Sequence, residues 1–339
     1  MQGKLKKIGK NIIMSLMIPV IVYLLFFIVC NASGHPGFGV GADLQTILYT
    51  SVYSGLIALA MTMNLTSGRF DFSIGATLVL AIILGGNIAK DFHMGALGLL
   101  ALTMVIGGII GLVSGLVYVL LGLPPMVVSL GLAMIYEAIG FIYNRAKGVK
   151  LIGKNDMLVY SKMPWALVVI VVVLVVMVIV WDYTKFGYNR KSLASGQKIS
   201  TDVGINEKSN AVICYVIAGL LLGIAGCVYI SKYGTVTPET GLSSSSYFMT
   251  AFLPMFIGGA IEKYSSRPVA VFIGAMTQAF ITSGFSRLGF SSSLMTVLNG
   301  VIVMIFLIYT SNSYLLVEQK MFREKLEKAK AARAAKEVK

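Results

Sequence analysis

The sequence has few of the residues that carry out catalysis or hold a metal ion. Its 339 residues include only two histidines, His35 and His93, and three cysteines without CxxC spacing. It contains no HExxH motif, no GxSxG motif and no GxxxxGK(S/T) phosphate-binding loop. We therefore expect no catalytic residue, metal site or bound cofactor in this chain. If nucleotide hydrolysis drives the protein, another chain performs it.

Charged residues are scarce as well. They make up 12% of the chain, whereas hydrophobic residues make up 57%, and a soluble domain usually has about 25% charged residues. The net charge of +14 does not point to nucleic acid, because the basic residues flank apolar runs, where they set orientation and meet anionic lipid. The composition predicts a protein that lies in a lipid membrane.

Ten apolar stretches run along the chain, and all 28 Lys and Arg residues fall outside them. Each is about long enough to cross a bilayer as a helix, and none shows the alternation of a barrel strand. We predict an all-α polytopic membrane protein, with a transmembrane domain over residues 1–317 and a basic cytoplasmic tail over residues 318–339. The predicted spans lie near residues 11–30, 44–63, 71–89, 95–121, 123–143, 164–182, 209–231, 245–261, 268–286 and 291–312.

The distribution of Lys and Arg predicts how these spans are oriented. With the N-terminus inside, the inner segments hold 20 of these residues and the outer segments hold 8, which places both termini in the cytoplasm. The outer segment from Asn144 to Met163 is an exception, because it has five basic residues. Either this segment is an extracellular surface feature, which we prefer, or a neighbouring span is misplaced.

Residues 64–76 place two charges and two glycines between the second and third spans. One interpretation is unwound backbone at membrane depth, which is tolerated only inside protein or along a watery cavity. The other is that Asp71 starts a helix beside Ser73, with Arg69 at the membrane surface. The sequence alone leaves both open.

Two further features concern the interior of the spans. Glu137 lies well inside the fifth span, so it should face either a polar pathway or a structural hydrogen-bond partner. Glycines at i, i+4 spacing, in the pairs Gly111 with Gly115 and Gly219 with Gly223, indicate close approach between helices.

The longest charged interruption runs from Lys185 to Lys208. A short amphipathic helix over Ser195–Val203 is predicted there, capped by Ser195 and ended near Gly204. A helix this short is marginal alone and needs a packing partner.

The order Ala194-Ser-Gly-Gln-Lys198 and Val203-Gly-Ile-Asn206 resembles the cytoplasmic coupling segment of permease subunits in bacterial ribose-type ABC importers, which include sugar, autoinducer-2 and nucleoside permeases. Residues 64–76 resemble the family's Gly-x-Asp-Leu-Ser-x-Gly stretch, and residues 123–131 resemble its Pro-Pro turn. The resemblance extends over residues 45–310. It implies the ABC importer permease fold, with about ten transmembrane helices and a cytoplasmic coupling helix.

The resemblance also implies partners. These are ATP-binding subunits that hold ATP and Mg, a second permease subunit of the same or different sequence, and an extracytoplasmic solute-binding protein. The residues expected to contact the ATPase are Ser195, Gly196, Gln197, Lys198, Asp202, Val203 and Gly204.

The leading hypothesis is thus a permease subunit of the bacterial inner membrane that moves a small polar solute, such as a monosaccharide, and has no enzymatic activity. The alternative is a secondary transporter driven by an ion gradient, which would need several mid-membrane carboxylates, whereas Glu137 is the one clear case. A third hypothesis is a membrane-embedded enzyme, for which the sequence offers no pair of nucleophile and base. Candidate pathway residues are Asn64, Asp71, Ser73, Tyr136, Glu137 and Gln278.

Overall fold

The computed structural model describes residues 2–308 and residue 312, with side chains from residue 9 onward. Helices make up 78% of it and strands almost none, which confirms the predicted all-α polytopic fold. The helices are α1 (Gln2–Ala32), α2 (Ala42–Leu65), α3 (Ile74–Asp91), α4 (Gly95–Leu121), α5 (Pro125–Ile142), α6 (Trp165–Asp182), α7 (Lys185–Ser195), α8 (Gln197–Asp202), α9 (Glu207–Tyr233), α10 (Ser245–Met249), α11 (Phe252–Ile261), α12 (Arg267–Arg287) and α13 (Ser292–Ile308).

The chain divides into two compact units. The first is Met1–Phe290 and contains α1 to α12, and the second is Ser291–Lys339, in which α13 is described. The predicted tail over residues 318–339 lies outside the described residues.

Eight helices in the described part of the chain are long and apolar enough to span a membrane: α1, α2, α3, α4, α5, α6, α9 and α12. The remaining two predicted spans differ, so the count of ten is not confirmed. Residues 245–261 are split into α10 and α11, and α13 is a shorter apolar helix. Pro254 stands in the first turn of α11, where its missing N–H is tolerated, whereas it would break a helix that ran through from α10.

The central helices are α2 and α3. In the apolar stretch of each of these two helices 78% of the residues are buried, whereas the buried share is 33% in α4 and in α6 and 17% in α1. Apolar side chains on the exposed faces of these outer helices suit lipid or another membrane subunit.

Helices α4 and α9 approach each other through their glycines. A Cβ atom on Gly219 would lie 2.1 Å from the carbonyl oxygen of Gly107, and one on Gly111 would lie 2.2 Å from that of Tyr215. A Cβ on Gly223 would meet the carbonyl of Thr103 at 2.1 Å. The close approach predicted from glycine spacing is present, and it fixes the position of α9 against α4.

One set of contacts joins the C-terminal end of α3 to the segments after α5 and α9. Asn87 Nδ2 donates a hydrogen bond of 3.0 Å to the carbonyl of Gly148. The strands β1 (Val149–Lys150) and β2 (Thr235–Val236) pair antiparallel. These segments therefore lie on one side of the protein.

A second set of contacts joins the segments after α2 and α6. Arg190 of α7 donates a hydrogen bond to Thr66 Oγ1, and Arg69 Nη1 lies 4.0 Å from Glu207 Oε1 at the start of α9. The first set involves connections near the ends of α3, α5 and α9, and the second set involves those after α2 and α6. This agrees with the alternation of sides in the predicted topology. The basic segment 144–163 is thus placed opposite the segment 185–208.

Candidate functional site

The connection between α2 and α3 is a non-helical break over residues 66–73. Asp71 Oδ1 accepts hydrogen bonds from the backbone N–H (2.8 Å) and the hydroxyl (2.6 Å) of Ser73. Asn64 Nδ2, at the end of α2, donates to Asp71 Oδ2 (3.4 Å). The backbone is therefore non-helical at Asp71, and the helix predicted to start there begins three residues later, at Ile74. Arg69 is 3% exposed, so its side chain is buried in the protein.

Aromatic rings hold this break against the interrupted segment α10–α11. The ring of Phe70 lies 5.8 Å from that of Phe252, and the ring of Phe72 lies 6.0 Å from that of Phe248. A Cβ on Gly75 would lie 1.9 Å from the carbonyl oxygen of Ser244, so only glycine fits at the start of α3. Sequence reasoning did not assign this cluster, although two phenylalanines flanking Asp71 were a usable signal.

Glu137 holds the loop in front of α10. Its Oε2 accepts a hydrogen bond from the N–H of Leu242 (2.8 Å), and its Oε1 accepts one from the N–H of Ser244 (3.0 Å). Leu242 has a left-handed backbone with φ of 65°, a conformation that leucine adopts only when its surroundings impose it. Glu137 therefore has structural hydrogen-bond partners, which is one of the two interpretations given for it from the sequence.

The other two predicted pathway residues have separate partners. The hydroxyl of Tyr136 lies 2.8 Å from Ser114 Oγ of α4, and Gln278 Nε2 donates to Thr282 Oγ1 within α12 (3.1 Å). All six predicted pathway residues are buried in the protein. The structure brings Asn64, Asp71 and Ser73 together, ties Glu137 to the neighbouring loop, and leaves Tyr136 and Gln278 outside this group.

The segment after α6 folds into two helices rather than one. Sequence reasoning missed α7, because its polar residues resemble a loop. The predicted helix is present as α8, but its cap is wrong: Ser195 is the last residue of α7 and its hydroxyl donates to the carbonyl of Lys191 (3.0 Å). The residue that precedes α8 is Gly196. Its backbone is extended, and no side-chain hydrogen bond caps the helix there.

The residues expected to contact an ATPase lie on or beside α8. Gly196 is partly buried and the other six are exposed: Ser195, Gln197, Lys198, Asp202, Val203 and Gly204. Two apolar side chains four positions apart, Ile199 and Val203, are 74% and 73% exposed. Residues at this spacing share one face of a helix, so α8 presents an apolar face away from the core.

The basic segment 144–163 has an ordered backbone. Val149, Leu151 and Met157 are buried in the core, while the five basic side chains are exposed. This supports the preferred interpretation of the segment as a surface feature. In the described part of the chain, no three His, Cys, Asp or Glu residues are grouped to hold a metal.

Comparison with known proteins decides the family. A family model described as the permease component of branched-chain amino acid transport systems matches residues 44–308. The chain belongs to this family. The permease is therefore a multi-pass protein of the inner membrane, and the resemblance found in its sequence is confirmed.

Curated relatives span most of the permease. The ribose import permease RbsC of Escherichia coli (strain K12) is 21% identical over 297 residues, which cover 84% of this chain and 90% of the relative. The fructose import permease FrcC of Rhizobium meliloti is 22% identical and covers 85% and 83%. The autoinducer 2 import permease LsrD of Photorhabdus temperata is 24% identical and covers 78% and 82%.

Proposed function

We propose that this permease forms the translocation pathway of an ATP-driven importer and that its solute is a monosaccharide or a related small polar compound. The relatives are named for the import of ribose, fructose and autoinducer 2. The family model carries an amino-acid transport description, but the agreement with sugar permeases over 84–85% of this chain favours the sugar-like class.

The apolar face of α8 is the observation that carries the coupling proposal. Ile199 and Val203 are exposed on a polar segment, where the contact of each apolar side chain with water is unfavourable. A separate ATPase subunit that covers this face would remove them from water. The hydroxyls of Ser192 and Ser200, 2.8 Å apart, hold α8 on α7, so the face is presented by an anchored element.

The remaining parts of the assembly follow from this assignment. The ATPase holds ATP and Mg²⁺ on the cytoplasmic side, the side on which we place α7 and α8. A second permease subunit, identical or different, completes the pathway, and a solute-binding protein delivers the solute from outside. ATP-driven closure then changes which side of the pathway is open.

The polar residues around the break are the proposed contacts of the solute. Hydroxyl and amide groups suit a sugar, which offers both donors and acceptors. Separation of the break from α10 would expose them to the pathway. Four of the proposed contacts belong to this group: Asn64, Asp71, Ser73 and Glu137. The other two, Tyr136 and Gln278, lie apart from the break.

Association with candidate ATPase subunits tests the coupling surface. The variant Ile199→Asp places a charge on the apolar face of α8, and we expect it to abolish co-purification of the ATPase. Ile152→Asp is the matched control, since Ile152 is 72% exposed on the opposite side of the protein. Association that survives both Ile199→Asp and deletion of residues 195–204 would refute the assignment.

Transport in proteoliposomes tests the energy source. We expect uptake of labelled ribose or fructose only with the ATPase, the solute-binding protein and ATP present. Uptake driven by a proton or sodium gradient without the ATPase would instead establish the secondary transporter.

A further inference from the structure

Arg190 of α7 is a buried cation that touches two other elements. Its side chain is 3% exposed, and its guanidinium carbon lies 3.4 Å from the ring centroid of Trp181, at the end of α6. Its Nη1 donates a hydrogen bond to Thr66 Oγ1, in the break after α2. The side chain therefore joins the segment that carries α8 to the connection between α2 and α3.

The charge of Arg190 has no bound carboxylate. No acidic residue in the described part of the chain lies within ion-pairing distance of it, and the nearby Glu262 is paired with Arg267. Burial is the main cause that lowers the pKa of Arg190 to about 10, so the group stays charged at neutral pH. An apolar side chain of similar volume would fill this place without the desolvation cost.

Other contacts of α7 reach α6. Lys191 Nζ lies 2.6 Å from Asp182 Oδ1, and a Cβ on Gly187 would lie 2.3 Å from the carbonyl oxygen of Trp181. The contact at Gly187 fixes the start of α7 as a pivot on the end of α6. Among the hydrogen bonds described for α7, the one from Arg190 is the bond that reaches the break.

We propose that Arg190 is a positioning residue that carries a displacement of α8 to the break at residues 66–73. This rests on the proposed function, because an ATPase must move α8. The bond between Ser192 and Ser200 makes α7 follow α8. As α7 pivots, the guanidinium moves across the face of Trp181 and takes Thr66 with it. Thr66 is two residues beyond Asn64, which is bonded to Asp71.

Hydrogen exchange tests this role, measured on the permease alone and on the permease bound to its ATPase with and without a non-hydrolysable ATP analogue. The variant is Arg190→Met, and the matched control is Lys185→Met, which removes the same charge from an exposed position of the same helix. In the wild type we expect ATPase binding to protect residues 197–204 and the nucleotide to change exchange in residues 64–73. In Arg190→Met we expect the first effect to remain and the second to fall by about fivefold or more, the lower range of coupling between sites.

Two further measurements separate positioning from stabilisation. Thr66→Val removes the acceptor while keeping the side-chain shape, and we expect it to lose the same nucleotide effect. We also expect Arg190→Met to unfold at the same temperature as the wild type or higher, because the buried charge is gone.

The results distinguish failure of the role of Arg190 from failure of the proposed function. If the wild type does not protect residues 197–204, the proposed function fails, and the role of Arg190 with it. If that protection is present but Arg190→Met keeps the nucleotide effect at residues 64–73, or the wild type shows none, only the role of Arg190 is overturned. A large drop in unfolding temperature together with loss of ATPase binding in Arg190→Met would show a structural role instead.

Discussion

Glu137 Oε1 accepts a hydrogen bond of 3.0 Å from the backbone N–H of Ser244, a residue 107 positions away in the sequence. The second oxygen of the same carboxylate binds the N–H of Leu242. A carboxylate inside a membrane-spanning helix is costly, and here both of its oxygens are used to fix the loop in front of α10. Any solute contact by Glu137 therefore requires that this loop move.

The first prediction concerns this pair of bonds. In Glu137→Gln the amide nitrogen replaces one acceptor and faces a backbone N–H. We expect the free energy of unfolding to fall by about 1–3 kcal/mol, the cost of leaving a buried donor without a partner. Thermal unfolding in detergent measures this, with the exposed Asp156→Asn as control. Equal unfolding temperatures for the two variants would mean that the bonds contribute nothing to stability.

The second prediction concerns the crossing of α4 and α9. In Gly219→Ala the new Cβ would lie 2.1 Å from the carbonyl oxygen of Gly107, so the helices must separate. Overpacking of this kind costs about 1–3 kcal/mol, and we expect a lower unfolding temperature. Gly131→Ala is the control, because a Cβ there meets nothing within 4 Å and alanine favours a helix. A Gly219→Ala protein as stable as the control would contradict the close crossing.

The third prediction concerns Asp71 in the break. Asp71→Ala leaves the donors of Ser73 and Asn64 without an acceptor, whereas Asp71→Asn keeps one amide oxygen. We expect Asp71→Ala to lose about 1–3 kcal/mol of stability and Asp71→Asn to lose less. Thermal unfolding of both variants gives the order. If Asp71→Asn is as unstable as Asp71→Ala, the negative charge rather than the hydrogen bonds holds the break together.

The sequence allowed much of the membrane architecture to be predicted, because a bilayer demands long apolar helices with no buried charge. It did not allow the split at residues 245–261 to be foreseen, since composition there is mostly apolar and the split depends on packing against the break as well as on Pro254. Helix α7 escaped detection for the opposite reason. Its polar residues resemble a loop, and its helical state depends on its contacts with α6.

The candidate site was predictable to the extent that local spacing reveals it. Asn64, Asp71 and Ser73 lie within ten residues, so one turn brings them together. Partners distant in sequence could not be foreseen, as Glu137 with Ser244 shows. Burial of Arg190 also contradicts the ordinary expectation for a basic residue in a cytoplasmic segment, and only the structure shows Trp181 beneath it.

The fourth prediction tests which segments share a side of the membrane. Lys150 pairs with Thr235 across β1 and β2, and paired antiparallel residues have Cα atoms about 4.5–5.5 Å apart, within the range of a disulfide. In a variant whose native cysteines are replaced, we expect Lys150→Cys and Thr235→Cys to cross-link under mild oxidation. Lys150→Cys combined with Lys198→Cys should not cross-link.

Labelling of intact cells then assigns the sides. A membrane-impermeant maleimide should react with Lys150→Cys from outside, because we predict that the basic segment 144–163 lies on the outer face. It should react with Lys198→Cys only after the membrane is opened, since α8 must face the compartment that contains ATP. Reaction of Lys198→Cys in intact cells would invert the topology, and it would remove α8 from the reach of any cytoplasmic ATPase.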